Sequence, residues 1–201
     1  DGAFYVTQSC ELTKVTDTDG DQRADRFEVL SDAWGYANYH EYAFGSKIDP
    51  EGNIYVALGL SYSYHSRALF RGWILKVTPG GETIPMASGL RSPAGIGPNE
   101  HGAMMFIESQ GPWNSANSLK AVSEGSFHGH PISFNWYPFA PNLEAPNQPE
   151  SGGRLITERE RVPELAQTGV AGIAVVSALS QAPDPAAEAK AILQVWKHAV
   201  T

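Results

Sequence analysis

Five carboxylates crowd twelve residues near the start of the chain: Asp17, Asp19, Asp21, Asp25 and Glu28. With Asp17 as position 1 they stand at positions 1, 3, 5, 9 and 12, and Arg23 at position 7 can offer its backbone carbonyl. Hard oxygen ligands at those offsets suit Ca²⁺. Carboxylates this close repel one another, and a bound cation removes that cost. Two places depart from the usual loop: Gly20 stands fourth and Gln22 sixth, where the sharp turn normally takes glycine. The alternative reading is a solvated acidic turn between two strands.

Three further groups could carry chemistry. His40, in Tyr39-His-Glu-Tyr-Ala-Phe-Gly45, stands where a loop runs towards the predicted strand over 54–58, and a histidine there can act as a base. A hydrogen-bonded loop histidine is the alternative. Arg91 sits in the glycine-rich turn Gly89-Leu-Arg-Ser-Pro-Ala-Gly-Ile-Gly97, and its guanidinium suits a planar acidic ligand, with a plain surface arginine as the alternative. In Glu108-Ser-Gln-Gly-Pro-Trp-Asn114, Gly111 and Pro112 can present bare carbonyls to a cation or ligand. The one cysteine, Cys10, excludes an internal disulfide or a cysteine-built metal site and reads as a small packed side chain.

Short runs of alternating, β-branched or aromatic character recur between turn signals at 4–7, 12–16, 27–30, 54–58, 73–77 and 104–107. Asp49-Pro-Glu-Gly52 and Pro79-Gly-Gly81 are explicit turns, and no long amphipathic helix intervenes. Weak recurrence every 40 to 50 residues or so predicts propeller blades, each a small sheet, with a sandwich or barrel as the competing all-β architecture.

The composition changes near residues 164–167. Of 21 aromatic residues, 20 precede position 140, whereas the stretch 166–201 holds ten alanines. Residues 138–153 before the joint are Pro-rich and loop-like. Beyond it, the continuously apolar 169–177 reads as a buried parallel-type strand. A helix follows, with Asp184 as N-cap, Pro185 at the first helical position, and Ala189, Ile192, Leu193, Trp196 and Val200 at three- and four-residue intervals. Two units are therefore expected, a β-rich one over 1–165 and a βα segment over 166–201.

Composition narrows the partners. With 201 residues, 42% hydrophobic and 18% charged, the chain is long enough for a sizeable core and is not a disordered polymer. Its net charge of −8 repels phosphate backbones and anionic membranes, so nucleic acid is a poor partner. The longest apolar run, 169–179, is far shorter than the roughly 18 to 20 residues of a membrane helix. The sequence opens at Asp1 with no charged segment leading into an apolar signal core, which reads as processing or truncation.

The order of His40, Asp49-Pro-Glu-Gly-Asn-Ile-Tyr, Gly72-Trp-Ile-Leu-Lys-Val-Thr-Pro-Gly-Gly81, Gly89-Leu-Arg-Ser-Pro-Ala-Gly95, Glu108-Ser-Gln-Gly-Pro112 and Gly129-His-Pro131 resembles the soluble glucose/sorbosone dehydrogenase family. The likeness covers residues 1 to about 165. It is greatest to the membrane-associated, haem-domain dehydrogenase-like proteins of planctomycetes and verrucomicrobia. The resemblance implies a six-bladed propeller carrying pyrroloquinoline quinone (PQQ) and Ca²⁺, of which this sequence would supply two to three blades. It implies that His40 takes a proton from a sugar or alcohol hydroxyl while hydride leaves its carbon for the quinone. Arg91 then holds the quinone oxygens, and the carbonyls of Gly111 and Pro112 bind the calcium that polarises the cofactor. All four groups are expected at one shared cavity. Ser92 stands where the family usually has asparagine, and Leu60 where aspartate is common. A haem or cytochrome electron acceptor and a periplasmic or extracellular location are further implications.

The tail has a likeness of its own. Residues 169–179 with Asp184-Pro-Ala-Ala187 resemble the last βα unit of thiamine-phosphate synthase, a TIM-barrel enzyme, where amides at the positions of Val176 and Ser177 hold a phosphate. Any βα unit is the alternative. The fold expected from the whole is mostly β, a partial propeller followed by a short C-terminal βα unit. The functions in view are a PQQ-dependent dehydrogenase-like propeller, a non-catalytic Ca²⁺-binding scaffold, and, from the tail alone, a relation to thiamine-phosphate synthesis.

Overall fold

The computed structural model describes residues 2–60, 66–109, 117–146 and 183–199. Strands β1 (Phe4–Thr7), β2 (Leu12–Thr16) and β3 (Arg26–Ser31) form an antiparallel meander. A second meander runs through β4 (Ala43–Ile48), β5 (Ile54–Leu58), β6 (Trp73–Val77) and β7 (Thr83–Ser88). The third consists of β8 (Pro93–Pro98), β9 (Met104–Glu108) and β10 (Ser118–Ala121). The two-residue β11 (Ser126–Phe127) returns to lie parallel to β7, at the outer edge of the second sheet. The first strand of each sheet packs against its counterpart in the next, β1 on β4 and β4 on β8. Successive meanders stacked through their first strands make a partial β-propeller of three blades, and the described residues are mostly β.

The alternation of β5 and β6 explains the central blade. Ile54, Val56, Leu58, Trp73, Leu75 and Val77 belong to one buried cluster with Leu12 and Trp34, on the side of the first sheet. Ala57 and Ile74, one residue out of phase, join Ala87, Ile96, Met104 and Phe106 on the side of the third sheet. Both faces of the central blade are thus covered, and its strands read as nearly continuous apolar runs. The first sheet is covered on one side only: Phe4 and Phe27, both in register with Val15, are 75% and 67% exposed on the other. Among the described residues Trp73 is the largest fully buried side chain, edge-on to Phe70 and Tyr137, with its indole N–H donating to the Ser133 carbonyl at 3.2 Å.

The predicted turns form through the chemistry that marks them. Asp49 accepts from the backbone N–H and the side-chain amide of Asn53, both at 2.8 Å, while Gly52 takes φ +86°. Gly81 takes φ +87° against the Leu30 carbonyl, which a Cβ would approach to 2.6 Å. Strands β4, β7 and β8 were not marked in the sequence because they carry glycine or proline, and inter-strand pairing overrides that poor propensity. Residues 131–139, of which only 138 and 139 fall within the stretch read as loop-like, form a 3₁₀ segment capped by His130, whose Nδ1 accepts from Ile132 N–H at 3.1 Å. Cys10 is exposed rather than packed, since it lies in the turn between β1 and β2.

Helix α1 (Pro185–Ala199) starts as predicted, with Asp184 Oδ1 accepting from the N–H groups of Ala186 and Ala187, both at 3.0 Å. Ile192 is buried, but Leu193 of the predicted stripe is 56% exposed. The predicted strand at 169–177, the joint at 164–167, and Val176, Ser177, Gly111 and Pro112 lie outside the described residues. Among the described residues, no helix is long and apolar enough to cross a membrane.

Candidate functional site

The acidic loop joins β2 to β3 and folds around its own carboxylates. Asp17 accepts from the N–H groups of Gly20 at 2.7 Å and Gln22 at 2.8 Å. Asp19 accepts from Asp21 N–H and Asp21 from Arg23 N–H, at 3.2 and 2.8 Å. The Gly20 amide, foremost, holds the Asp17 carboxyl below the ordinary carboxylate range. Oxygens of Asp17, Asp19 and Asp21 lie within 4.8 Å of one another, a spacing that a hard cation could bridge. Gln22 adopts φ +70°, the left-handed conformation for which glycine is usual at that place. The other two carboxylates turn to protein partners. Asp25 accepts from the backbone and hydroxyl of Thr18 at 3.1 and 2.7 Å, and Glu28, on β3, pairs with Arg26 at 2.7 Å.

His40 lies in the turn that enters β4, half-buried, with its ring 4.1 Å from that of Tyr39. Arg91 lies in the turn between β7 and β8. Two consecutive amides at the end of β5 draw these turns together. Gly59 N–H donates to the Tyr42 carbonyl at 2.9 Å, and Leu60 N–H donates to the Arg91 carbonyl at 2.8 Å. The same end of the central blade therefore receives both the segment bearing His40 and the turn bearing Arg91. The chain leaves β9 at that place as well: Ser109 N–H donates to the Ser92 carbonyl at 3.2 Å, and Arg91 Nη1 donates to Ser109 Oγ at 3.1 Å. Residues 110–116, which include Gly111 and Pro112, come next in the chain.

Each turn is held by a buried carboxylate that the sequence did not single out. Glu41 accepts from Ala37 N–H at 2.7 Å and from the Ser66 hydroxyl at 2.6 Å, and lies 3.8 Å from Arg71. Arg71 is fully buried and donates to the carbonyls of Gly35 at 2.8 Å, Tyr42 at 3.0 Å and Ser9. Desolvation, partly offset by Glu41, lowers its guanidinium to about 10, so it keeps its charge at neutral pH. Glu108 holds the Arg91 turn, accepting from the N–H groups of Arg91 and Ser92 at 3.1 and 2.8 Å. The local signal for both was weak, because a glutamate in a loop or at a strand end normally reads as solvated.

Among the described residues, two buried side-chain polar atoms have no hydrogen-bond partner, Arg91 Nε and Trp136 Nε1. A buried N–H of a guanidinium left without an acceptor is costly unless a ligand supplies one. An acceptor atom of a ligand would satisfy Arg91 Nε, and the three clustered carboxylates of the acidic loop could hold a hard cation.

Three stacked meanders, with the turns that bear His40 and Arg91 meeting at one strand end, define a partial β-propeller. Residues 1–138 match the family described as a domain of unknown function, DUF7133, and the chain belongs to that family. No curated protein matches. Among solved structures, a glucose dehydrogenase is 19% identical with a TM-score of 0.44, covering 60% of this chain and 40% of its own. A glucose dehydrogenase-type oxidoreductase from Thermus thermophilus is 22% identical, with a TM-score of 0.46 and coverage of 61% and 42%. The PQQ-bound form of an aldose sugar dehydrogenase from Streptomyces coelicolor is 17% identical, with a TM-score of 0.45 and coverage of 63% and 42%. The chain thus spans less than half the length of these proteins.

Proposed function

We propose that this chain is part of a PQQ-dependent sugar or alcohol dehydrogenase-like propeller. The observation that carries the reading is the convergence of the His40 turn and the Arg91 turn on Gly59 and Leu60, with the buried Arg91 Nε lacking an acceptor among the described residues. When bound, the quinone supplies a hydride acceptor. Arg91 would hold it through charge-assisted hydrogen bonds, and the carbonyls of Gly111 and Pro112 would hold a Ca²⁺ against it. His40 would take the proton from the substrate hydroxyl, so that no alkoxide need form unaided. A small sugar or alcohol as substrate, a haem or cytochrome as electron acceptor and a periplasmic or extracellular location belong to the same proposal. So does the division into a propeller unit over 1–165 and a tail over 166–201.

Reconstitution of the full-length protein with PQQ and calcium tests the reading. Arg91→Ala should weaken quinone binding by about 10- to 100-fold, as loss of one charge-assisted hydrogen bond implies. A full-length protein that binds no quinone in the presence of calcium would overturn it.

A second reading, a Ca²⁺-binding scaffold without chemistry, is favoured by the acidic loop, whose three clustered carboxylates are independent of the His40 and Arg91 turns. Calorimetry should register calcium uptake that Asp19→Ala and Asp21→Ala together reduce by at least roughly tenfold in affinity, and calcium should raise the unfolding midpoint of the unsubstituted protein. Heat indistinguishable from a chelator blank would remove calcium from this loop. The phosphate role of Val176 and Ser177 rests on the tail's likeness alone, beyond the residues that the family match covers.

A further inference from the structure

Glu108 ends β9 fully buried, at 0% exposure, a costly place for a carboxylate. Burial pushes its carboxyl above the ordinary range, against the pull of Lys120 on β10 and of the backbone N–H groups it receives. The two carboxylate oxygens divide the work. One accepts from Arg91 N–H and the other from Ser92 N–H, so two successive peptide groups are pinned to one rigid side chain at the end of a strand. Leu60 N–H holds the Arg91 carbonyl from the other side, and Ser109, the residue after Glu108, takes the Arg91 Nη1. Nε of the same guanidinium has no acceptor among the described residues.

We propose that Glu108 is the positioning residue for Arg91, fixing the 91–92 peptides so that the guanidinium is held with its Nε–H available to an anionic planar ligand. The inference deepens the proposed function and rests on that reading for the identity of the ligand, though not for the positioning itself. The chemistry requires a carboxylate. Glutamine has the same shape but one acceptor oxygen, and its NH₂ would stand against a backbone N–H. Glu108→Gln therefore releases one of the two pinned peptides without opening a cavity.

Two measurements on the full-length protein decide it. The first needs no cofactor: the Arg91 side-chain Nε–Hε resonance, assigned by its loss in Arg91→Lys, should be resolved in the unsubstituted protein. In Glu108→Gln it should shift or broaden, with hydrogen exchange at least roughly tenfold faster. The second titrates PQQ in the presence of calcium. Glu108→Gln should weaken binding about tenfold, and the double variant Glu108→Gln/Arg91→Ala should bind within about twofold of Arg91→Ala alone, because both act through one guanidinium. An unchanged Nε–Hε signal and exchange rate in a folded Glu108→Gln would overturn the proposal, as would additive losses in the double variant. Should Glu108→Gln fail to fold, Glu108→Gln/Lys120→Met, which also removes the facing cation, carries the same two readouts. A protein that binds no quinone overturns the functional reading, while the resonance measurement still decides whether Glu108 positions Arg91.

Discussion

Arg71→Met is expected to destabilise the protein by about 3–5 kcal/mol, the range for removing one partner of a buried, hydrogen-bonded ion pair. Methionine fills much of the volume but donates nothing. The carbonyls of Gly35 and Tyr42 lose a donor, and that of Ser9 keeps, among the described residues, only Trp34 Nε1 at 3.1 Å. Glu41 is left as a buried carboxylate without its cation. The acceptors come from the β1–β2 turn, the loop after β3 and the segment entering β4, so one side chain ties the first blade to the second. Arg71→Lys should recover only part of the loss, because a point charge cannot reproduce a planar fork. Denaturant unfolding measures both variants. An Arg71→Met protein within about 0.5 kcal/mol of the unsubstituted one would show that the pair contributes nothing net, as hydrophobic replacement of some buried pairs does.

For His40→Ala in the full-length protein with PQQ and calcium, turnover should fall by about 10²- to 10⁴-fold, the usual contribution of a positioned base. Quinone affinity should stay within about twofold, since Arg91 and the calcium carbonyls hold the cofactor in the proposed site. The two losses therefore differ in kind: Arg91→Ala acts on binding, His40→Ala on the proton. Equal loss of turnover and of quinone affinity would make His40 a structural or binding residue, and a fall of less than about tenfold would remove it as the base.

Strands such as β2, β5, β6 and β9 were legible because alternating, β-branched or continuously apolar runs are properties of the chain itself. So were the Asp49–Gly52 turn, the Asp184-Pro185 helix start and the carboxylate spacing of the acidic loop, in which a few adjacent residues supply both donor and acceptor. Strands β4, β7 and β8 were not, since their glycines and prolines disfavour strands locally and only neighbouring strands hold them extended. Carboxylate spacing likewise left open that Asp25 would bind Thr18 and Glu28 would pair with Arg26, away from the other three.

The sequence by itself determined the β-rich class, the hairpin turns, the helix start and the residue types able to bind a cation, take a proton or hold an anion. Tertiary structure alone decided which of them meet. Arg71 reaches Ser9 across 62 positions, and Glu108 reaches the Ser92 amide across 16. No local pattern encodes such pairs, because a charged side chain reads as solvated until the stacking of blades removes water around it. Once buried, its only stabilising partners are the backbone groups that the topology brings within reach.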